Sequence, residues 1–323
     1  MNILYTVNND YVPQLATGIC SVCENNRDFE ILRFYIFSDG ISAENKNILS
    51  GFVKKYGRDI QFIDIDGFMD AVGLSLDTGG WNEVIMARLL MASLLPDEVD
   101  KVLYLDADTV VRRSLRALWD EHPVRGILSM VMEPTASRAR RASLGIERFP
   151  YFNSGVLLVD LKKWRKNGVE SSILDYCSKN GDSLVASDQD AINVVLAGKI
   201  DAIPPKYNAS NIFSYYPYRF LHRLMPEFSD EEECVEARDN PVIVHYLGEE
   251  RPWRKGNTHA YRSEYEKYLS KTPFSGTLPE KGWEMYFVLW KAFNAVTKFF
   301  PSLRYKVIDG LIPFFLEFRS HKK

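Results

Sequence analysis

Residues 101–111 read KVLYLDADTVV. The first half is a run of apolar, partly β-branched residues, which is typical of a strand buried inside a sheet, and it leads straight into Asp106 and Asp108. Side chains two positions apart on an extended backbone point to the same side, so the two carboxylates converge at the carboxyl end of the strand. In an open α/β sheet ligands bind at that edge, and a divalent cation would relieve the repulsion between the carboxylates. The plainer interpretation is a strand that ends in a turn, because Asp favours turns.

Length and composition are those of an ordinary globular protein. The 323 residues are 46% hydrophobic and 26% charged, which suffices for one large α/β domain or two smaller ones. The net charge of −3 argues against general nucleic-acid binding. The charge is uneven, however, because residues 281–323 contain eight Lys and Arg against three Asp and Glu. A basic tail on an acidic body suggests an anionic partner for the tail, for example anionic lipid.

Strands alternate with helices in the N-terminal part of the chain. Residues 3–7, 32–37 and 60–65 are short apolar runs that predict strands. A polar turn and a helix follow the first strand, as is common at nucleotide sites, but this turn is not of the glycine-rich phosphate-binding kind. A nucleotide would therefore be held by Asn8, Asp10 and backbone groups.

The same alternation continues through the rest of the body. Residues 83–95 predict a helix that is ended by Pro96, and further strands are predicted at residues 126–132, 153–161 and 242–246. Strands that alternate with helices in this way predict an α/β fold with a mostly parallel, doubly wound sheet.

Three polar features have two interpretations each. Asp188 and Asp190 open a helix, where Asp188 would be the N-cap and Asp190 would favour the helix dipole, but one of them can also have a functional role. His245 ends the last predicted strand and is either a satisfied structural residue or a ligand. The basic residues 138–141 form either a solvated helix face or a mobile flap near a phosphate or an acceptor.

The four cysteines do not form a recognisable disulfide framework. Cys20 and Cys23 have the C-x-x-C spacing but no second pair and no nearby histidines, so we interpret them as small apolar residues on a helix. The N-terminus lacks the basic region and long apolar core of a signal peptide. We therefore expect a reducing, cytoplasmic environment.

The C-terminal tail has the pattern of an amphipathic helix. The apolar face that we predict over residues 283–300 consists of Tyr286, Leu289, Phe293, Val296 and Phe300. Charges interrupt the tail too often for a membrane span, which needs about 18 uncharged residues. Aromatic residues beside lysines and arginines suit a helix that lies in a membrane interface, and the alternative is an appendage packed on the body or on another subunit.

Four motifs together resemble glycosyltransferase family 8, and most closely its bacterial lipopolysaccharide α-glucosyl- and α-galactosyltransferases. They are Leu103-Tyr104-Leu105-Asp106-Ala107-Asp108, Asn153-Ser154-Gly155-Val156, Asp188-Gln189-Asp190 and the segment from His245 to Trp253. Each motif alone is weak, but the four occur in the order and at spacings that the family has. The resemblance covers about residues 1–265, and residues 266–323 would form a helical, basic and aromatic appendage.

The resemblance implies a single Rossmann-like domain of the GT-A type that uses a UDP-sugar with Mn²⁺, or with Mg²⁺ as the alternative. It implies that Asp106, Asp108 and His245 ligate the metal, and that the metal bridges the donor diphosphate. Oxygen ligands with one imidazole suit Mn²⁺. It also implies retention of the anomeric configuration.

The resemblance assigns further residues to the donor. Those around the uracil and ribose are Thr6, Asn8 and Asp10, with Ala107 beside the nucleotide. Those around the sugar are Arg88, Glu133, Asn153, Ser154, Gly155, Asp188 and Gln189, and those at the phosphates are Gly248 and Arg251. The chain departs from the family pattern at Asn8, where an acidic residue is usual, at Glu133, where close relatives have Asp, and at Arg251, which replaces a lysine.

The implied reaction moves glucose or galactose from UDP to a saccharide acceptor, a precursor of a cell-surface glycan or glycolipid assembled at the cytoplasmic face of the membrane. The resemblance places Gln189 beneath the anomeric carbon, and an amide is a poor nucleophile. We therefore expect the acceptor to attack from the same face that the leaving group departs from, with the departing phosphate accepting the acceptor's proton. A covalent sugar adduct on Asp188, Asp190 or Gln189 would contradict this expectation.

Two alternatives from other classes remain open at this point. The segment Asp106-Ala107-Asp108-Thr109 also fits the start of a haloacid-dehalogenase-like phosphatase, for which Gly181-Asp182 is a weak downstream candidate. The second alternative is a non-catalytic protein that binds a sugar nucleotide. Substitution of Asp108 distinguishes these alternatives from the transferase. A transferase would lose metal-dependent UDP binding, a phosphatase would lose phosphate release, and a non-catalytic protein would lose neither.

Overall fold

The computed structural model describes residues 1–65, 83–180 and 187–320, and its centre is a seven-stranded sheet. The strands of this sheet are β1 (Asn2–Asn8), β2 (Arg33–Asp39), β3 (Asp59–Asp64), β4 (Lys101–Leu105), β6 (Leu128–Met132), β7 (Phe152–Asp160) and β8 (Ile200–Ala202). Two further strands, β5 (Thr109–Val111) and β9 (Ile243–His245), form a small antiparallel sheet of their own.

The order of the large sheet is β3-β2-β1-β4-β7-β6-β8. Strands β3, β2, β1 and β4 run parallel, as do β6 and β8, and β7 is antiparallel to both of its neighbours. The prediction of a mostly parallel α/β sheet is confirmed. Strands β1 and β4 lie side by side with Leu4 opposite Tyr104, so their carboxyl ends reach the same edge.

The apolar runs are buried on both sides of the sheet. Along β1, Ile3 and Tyr5 belong to one core cluster, and Leu4 between them belongs to the other. Strand β4 divides in the same way, with Leu103 on the first side and Tyr104 on the second. Strands covered on both faces need continuous apolar sequence, and this explains why the runs do not alternate with polar residues.

Helices cover the two faces. The first core cluster is closed by α1 (Val12–Asn25), α2 (Ala43–Lys55) and α11 (Arg262–Leu269). The second is closed by the 3₁₀ helix Glu83–Leu90, α3 (Met91–Leu94), α5 (Leu161–Lys166), α6 (Val169–Asn180) and α7 (Ser187–Val195). A third cluster lies beside the sheet and involves α4 (Arg138–Ser143), α8 (Ile212–Tyr215), α9 (Tyr218–Leu224) and α10 (Glu231–Asp239). Short turns complete the body at Asn9–Tyr11, Ala117–Glu121 and Pro205–Tyr207.

The predicted helix at residues 83–95 is confirmed, although it is a 3₁₀ helix to Leu90 with only one α-helical turn after it, and this segment carries the buried Arg88. The interpretation of residues 138–141 as a solvated helix face holds only in part, because Arg138 and Ala139 of α4 are exposed but the other two arginines are half-buried or buried. Arg141 is buried and donates to the carbonyl of Phe149, and Arg140 pairs with the buried Asp190.

The cysteines agree with the sequence analysis. Cys20 and Cys23 lie on α1, and all four cysteines are buried and unpaired in disulfides. Burial raises the pKa of the Cys23 thiol to about 12, so this side chain stays protonated and behaves as an apolar group.

The tail forms α12 (Glu284–Thr297) and α13 (Pro301–Ser320), and α12 packs on the body through a different face from the predicted one. Phe287 and Thr297 are buried, whereas Leu289, Val296 and Phe300 of the predicted apolar face are at least half exposed. The apolar residues surround most of α12, so the pattern alone did not identify which side meets the body. Within the described residues, no helix has the length and hydrophobicity needed to cross a bilayer.

His259 makes the stability of the body sensitive to acid. It is buried against Tyr246, and its Nδ1 accepts a hydrogen bond from the Tyr261 amide at 3.0 Å, so the ring is neutral. Burial lowers its pKa to about 4, below the unfolded value. In this pH range the His259 imidazole binds a proton in the unfolded chain but not in the native state. The free energy of unfolding therefore decreases as the pH falls from the pKa of the unfolded chain towards 4.

We expect His259→Gln to reduce this acid sensitivity. Between about pH 7 and about pH 4.5, the wild type should lose about 2 kcal/mol more stability than the variant. Denaturant unfolding of both proteins at the two pH values measures the difference. Equal losses would show that another group controls the acid response.

Candidate active site

Three side chains that could hold a metal ion meet where β4 leaves the large sheet. Asp106 follows β4, and its carbonyl accepts hydrogen bonds from the amide and hydroxyl of Thr109, which turns the chain into β5. Strand β5 pairs with β9, with Thr109 opposite His245. This pairing brings His245 to Asp106 and Asp108, and one ligand atom from each of the three lies within 4.8 Å of the others.

The His245 ring is held on both sides. Its Nε2 lies 3.2 Å from Asp108 Oδ1 and 3.7 Å from Asp106 Oδ2, and its Nδ1 lies 2.8 Å from Asn208 Oδ1. The Asn208 amide also donates to Asn153 Oδ1 at 2.8 Å, so its oxygen faces the ring and Nδ1 carries the proton. In the neutral ring, Nε2 therefore presents its lone pair to the two carboxylates.

The charges of this cluster favour a cation between the two carboxylates. Burial disfavours a charged imidazole, but the Asp108 carboxylate outweighs burial and raises the pKa of His245. Burial likewise disfavours a charged Asp108, yet His245 and Arg251 lower its pKa. The two carboxylates thus attract a positive charge to the point between them, which is the place where a divalent ion would replace the proton.

Arg88 links the cluster to the first turn of α7. This arginine is buried, and its guanidinium lies 2.9 Å from Asp106 Oδ1 and 3.2 Å from Asp188 Oδ2. It also donates to the Ser154 carbonyl at 2.9 Å and stacks on the Tyr104 ring. One side chain therefore fixes three elements that border the site.

Asp188, Gln189 and Asp190 have different environments. Asp188 lies within the first turn of α7. Burial raises its pKa, although the positive charge of Arg88 acts in the opposite direction. Gln189 accepts from the Ser154 amide at 2.9 Å and donates to the Tyr151 hydroxyl at 3.2 Å. Asp190 is fully buried and is held by Tyr151 and Arg140, so one carboxylate of the pair is structural.

The first residues of β7 contribute the remaining polar groups. Asn153 donates to Glu133 Oε2 at 3.3 Å and accepts from the Gly155 amide at 3.0 Å. Burial raises the pKa of Glu133. Gly155 is required here, because a Cβ at this position would lie 2.2 Å from His245 Cε1.

Three predicted nucleotide contacts lie at the carboxyl end of β1. Thr6 and Asn8 are on the strand, and Asp10 is exposed in the turn that follows. Thr6 Oγ1 and Asn8 Oδ1 are buried and make no hydrogen bond with any residue in the described part of the chain. Buried polar atoms without partners are costly, so a polar ligand is expected at this position.

The loop after β9 faces the same site. Gly248 has φ +71°, a backbone conformation that residues other than glycine disfavour. Nη2 of Arg251 lies 3.8 Å from Asp108 Oδ2. Arg251 also donates to the Tyr11 hydroxyl. Ala107 lies between the two carboxylates and packs against the first core cluster. All of the predicted site residues are therefore on or beside one edge of the sheet.

Sequence reasoning missed four residues that support the site. Tyr104 donates to Asp106 Oδ1 at 2.7 Å, and its position two residues before Asp106 on the same strand face was a usable signal. Tyr11 and Tyr151 lie close in sequence to the predicted residues Asp10 and Asn153, but only the fold shows what their hydroxyls contact, and Asn208 comes from a segment without a motif. The segment Gly79-Gly80-Trp81, whose glycines predict a loop, lies outside the described residues, as does Gly181-Asp182 of the phosphatase alternative.

A mostly parallel α/β sheet with Asp-x-Asp and a histidine at its ligand-binding edge is the arrangement expected of a glycosyltransferase from the motifs, and comparison with known proteins agrees. The family model described as glycosyl transferase family 8 matches residues 2–256. The chain belongs to this family and is a glycosyltransferase of the GT-A fold.

Individual relatives support this membership. General stress protein A of Bacillus subtilis (strain 168) is 27% identical over 85% of this chain and 95% of its own length. A lipopolysaccharide 1,2-glucosyltransferase of Escherichia coli is 26% identical over 84% of this chain and 79% of its own length. A solved structure of galactosyltransferase LgtC in complex with donor and acceptor sugar analogs superposes with a TM-score of 0.72 and 26% identity, over 88% of this chain and 99% of that one.

Proposed function

We propose that this protein is a retaining hexosyltransferase that moves glucose or galactose from a UDP-sugar to a saccharide acceptor. The convergence of Asp106, Asp108 and His245 at the sheet edge of a family 8 chain carries the proposal. Relatives that are named as a glucosyltransferase and a galactosyltransferase support a hexose, and support both sugars equally.

The residues present fit a divalent ion, Mn²⁺ or Mg²⁺. Asp106, Asp108 and His245 would hold it, since they offer two carboxylates and one imidazole whose Nε2 faces them. Asn208 orients the imidazole from behind, as residues around metal-bound histidines commonly do. When bound, the ion would supply Lewis acidity to the diphosphate leaving group.

The surrounding residues would bind the donor. Thr6 and Asn8 have unpartnered polar atoms at the end of β1, and together with Asp10 they would accept the uridine. Gly248 and Arg251 would meet the phosphates. The residues proposed to contact the sugar are Arg88, Glu133, Asn153, Ser154, Gly155, Asp188 and Gln189. Arg251 would add a fixed positive charge where negative charge develops in the transition state.

We propose attack from the face that the leaving group departs. The acceptor oxygen bonds to the anomeric carbon as the bond from that carbon to the phosphate oxygen breaks, and the departing diphosphate takes the acceptor proton. Asp190 is buried under Arg140 and Tyr151, and Asp188 is paired with Arg88, so neither carboxylate is free to act as a nucleophile. Isolation of a glycosyl-enzyme adduct would contradict this mechanism.

A donor assay tests the proposed function. The purified protein is incubated with UDP-glucose or UDP-galactose, with and without Mn²⁺, and release of UDP and the anomeric configuration of the product are measured. We expect metal-dependent release of UDP from one of the two donors and an α-linked product. A β-linked product, or hydrolysis of simple phosphate monoesters in place of transfer, would overturn the proposal.

Asn208→Ala should weaken metal binding without removing a ligand. Loss of the hydrogen bond to His245 Nδ1 frees the ring to rotate, and such losses typically cost about 10–100-fold in metal affinity. Titration of the protein with Mn²⁺ in the presence of UDP measures the change. Asn208→Asp keeps an acceptor for the His245 ring and should lose less Mn²⁺ affinity. Equal Mn²⁺ affinities in the wild type and both variants would contradict the proposed role of Asn208.

We further propose that residues 1–265 carry out transfer, and that residues 266–323 form an appendage that brings the protein to the cytoplasmic face of a membrane. The appendage exposes Leu289 and Phe299, 64% and 72% accessible, beside its lysines. A glycolipid or cell-surface glycan precursor would then be the acceptor. Leu289→Gln with Phe299→Gln should reduce binding to vesicles of anionic lipid, whereas Ile31→Gln, an exposed apolar residue on the body, should not.

A further inference from the structure

A second cavity lies between the body and the tail, and it shares no residue with the site described above. Its volume is about 570 Å³. Four basic residues line it, namely Arg238 from α10, Lys291 from α12, Lys298 directly after α12, and Arg304 from α13. No Asp or Glu is found among the described residues that form its walls. A cavity with this lining favours an anion.

Arg304 is the unusual member of this set, because it is a buried cation. Only 1% of its surface is accessible, and its guanidinium stacks 4.0 Å from the Tyr215 ring centre and 5.3 Å from that of Trp290. It donates one hydrogen bond, from Nη1 to Thr297 Oγ1 at 3.1 Å. The Tyr216 hydroxyl also lies beside the guanidinium, but Nε and Nη2 make no well-directed hydrogen bond within the described segments.

The nearby acid does not neutralise Arg304. Glu250 accepts from the Tyr215 hydroxyl and from the Asn211 amide, so its oxygens are already engaged. No carboxylate in the described part of the chain lies within 4.0 Å of Arg304. A buried guanidinium with two unused donor nitrogens is costly, and an anion in the cavity would satisfy it.

The two lysines are placed where such an anion can enter. Lys291 and Lys298 are seven residues apart, so they lie on one side of α12, and both are exposed. Neither makes an ion pair with another described residue. The neighbouring side of α12 carries Val288 and Phe299, which are 64% and 72% accessible. The mouth of the cavity therefore borders the exposed apolar surface of the tail.

We propose that this cavity binds a phosphate group, with Arg304 as its buried anchor and Lys291 and Lys298 at its mouth. The planar guanidinium offers Nε and Nη2 side by side, a geometry that matches two phosphate oxygens. Arg238 contributes less, because its guanidinium is already paired with Asp239 at 2.7 Å. The phosphate belongs either to a lipid headgroup beside the apolar surface or to a small soluble molecule, and both have the same chemistry.

The test uses the full chain and two double variants of equal charge. Lys291→Gln with Lys298→Gln alters the mouth of the cavity, whereas Lys281→Gln with Lys306→Gln removes two exposed lysines of the tail region that do not line it. Inorganic phosphate is titrated into each protein by calorimetry at constant ionic strength. Co-sedimentation is then measured with phosphatidylcholine vesicles that contain phosphatidic acid, or an equal charge of oleate.

We expect the mouth variant to bind phosphate roughly tenfold more weakly and the control variant to bind it as the wild type does. Lysine-dependent binding of inorganic phosphate alone indicates a soluble source. A preference for phosphatidic acid over oleate that the mouth variant loses indicates a lipid headgroup.

Three results would overturn the proposal. They are no phosphate or vesicle binding by the wild type, equal losses in the two double variants, and equal binding to phosphatidic acid and oleate without any binding of inorganic phosphate. Arg304→Lys adds an independent check, because it keeps the charge but cannot present two parallel donors, and it should also weaken binding. Thermal unfolding of each variant without ligand confirms that the tail remains packed.

Discussion

Asp108→Asn is expected to abolish the Mn²⁺-dependent binding of UDP and to lower sugar transfer by about a thousandfold or more. Asp108 lies 3.2 Å from His245 Nε2 and 3.8 Å from Arg251, so its charge acts on both the imidazole and the proposed phosphate contact. Removal of this charge leaves one carboxylate and one imidazole to hold the ion. The diphosphate then departs without its proposed Lewis acid.

Thermal unfolding with UDP, with Mn²⁺ and with both measures the binding part of this prediction. A ligand at about a hundred times its dissociation constant adds about 2.7 kcal/mol of stability, which is visible as a raised midpoint. The wild type should gain this only when both ligands are present, and Asp108→Asn should gain none. Asp97→Asn alters an exposed carboxylate and should behave as the wild type does.

The possible outcomes separate the three interpretations of the sequence. Metal-dependent UDP stabilisation that survives in Asp108→Asn would remove Asp108 from the ligand set. A wild type that responds to neither UDP nor Mn²⁺ would favour a non-catalytic protein. Release of phosphate that depends on Asp108 would favour the phosphatase chemistry that the Asp-x-Asp-x-Thr segment also fits.

The sequence predicted the strands well, because buried parallel strands need apolar runs. The predicted and observed ends of β1, β2 and β3 differ by only one or two residues. The direction of β7 was not predictable, since a strand buried on both faces has the same composition whether it runs parallel or antiparallel to its neighbours. The helix around Arg88 was predicted but its 3₁₀ geometry was not, because its apolar spacing resembles that of an α-helix.

The candidate site was predictable only in part. Asp106 and Asp108 could be placed by position alone, since they follow a strand in a fold whose ligands bind at that edge. His245 could not, because its approach depends on the pairing of β5 with β9 across more than a hundred residues of chain. The resemblance to family 8 supplied that residue. Asn208 and Tyr151 act through other side chains, so their roles could not be inferred although Tyr151 lies beside the Asn153–Val156 motif.

Gly155→Ala should disable the metal site although it adds only one methyl group and changes no ligand. The added Cβ would lie 2.2 Å from His245 Cε1 and 2.5 Å from Nδ1, far inside contact distance. The ring has no free direction in which to move, since Asn208 holds Nδ1 and the two carboxylates face Nε2. We expect a loss of about 10–100-fold in Mn²⁺ affinity and about 1–3 kcal/mol in stability.

The cause of that loss can be isolated with two further proteins. Gly51→Ala adds the same methyl group on α2, where no atom lies within 4 Å, and it should leave metal binding unchanged and stability equal or higher by up to about 1 kcal/mol. His245→Ala removes the ring that the methyl group meets. If the clash is the whole effect, adding Gly155→Ala to His245→Ala should cost little further stability or metal affinity, because contacting residues are non-additive. A full second loss in the double variant would mean that Gly155 acts on the backbone of β7 and not on the imidazole.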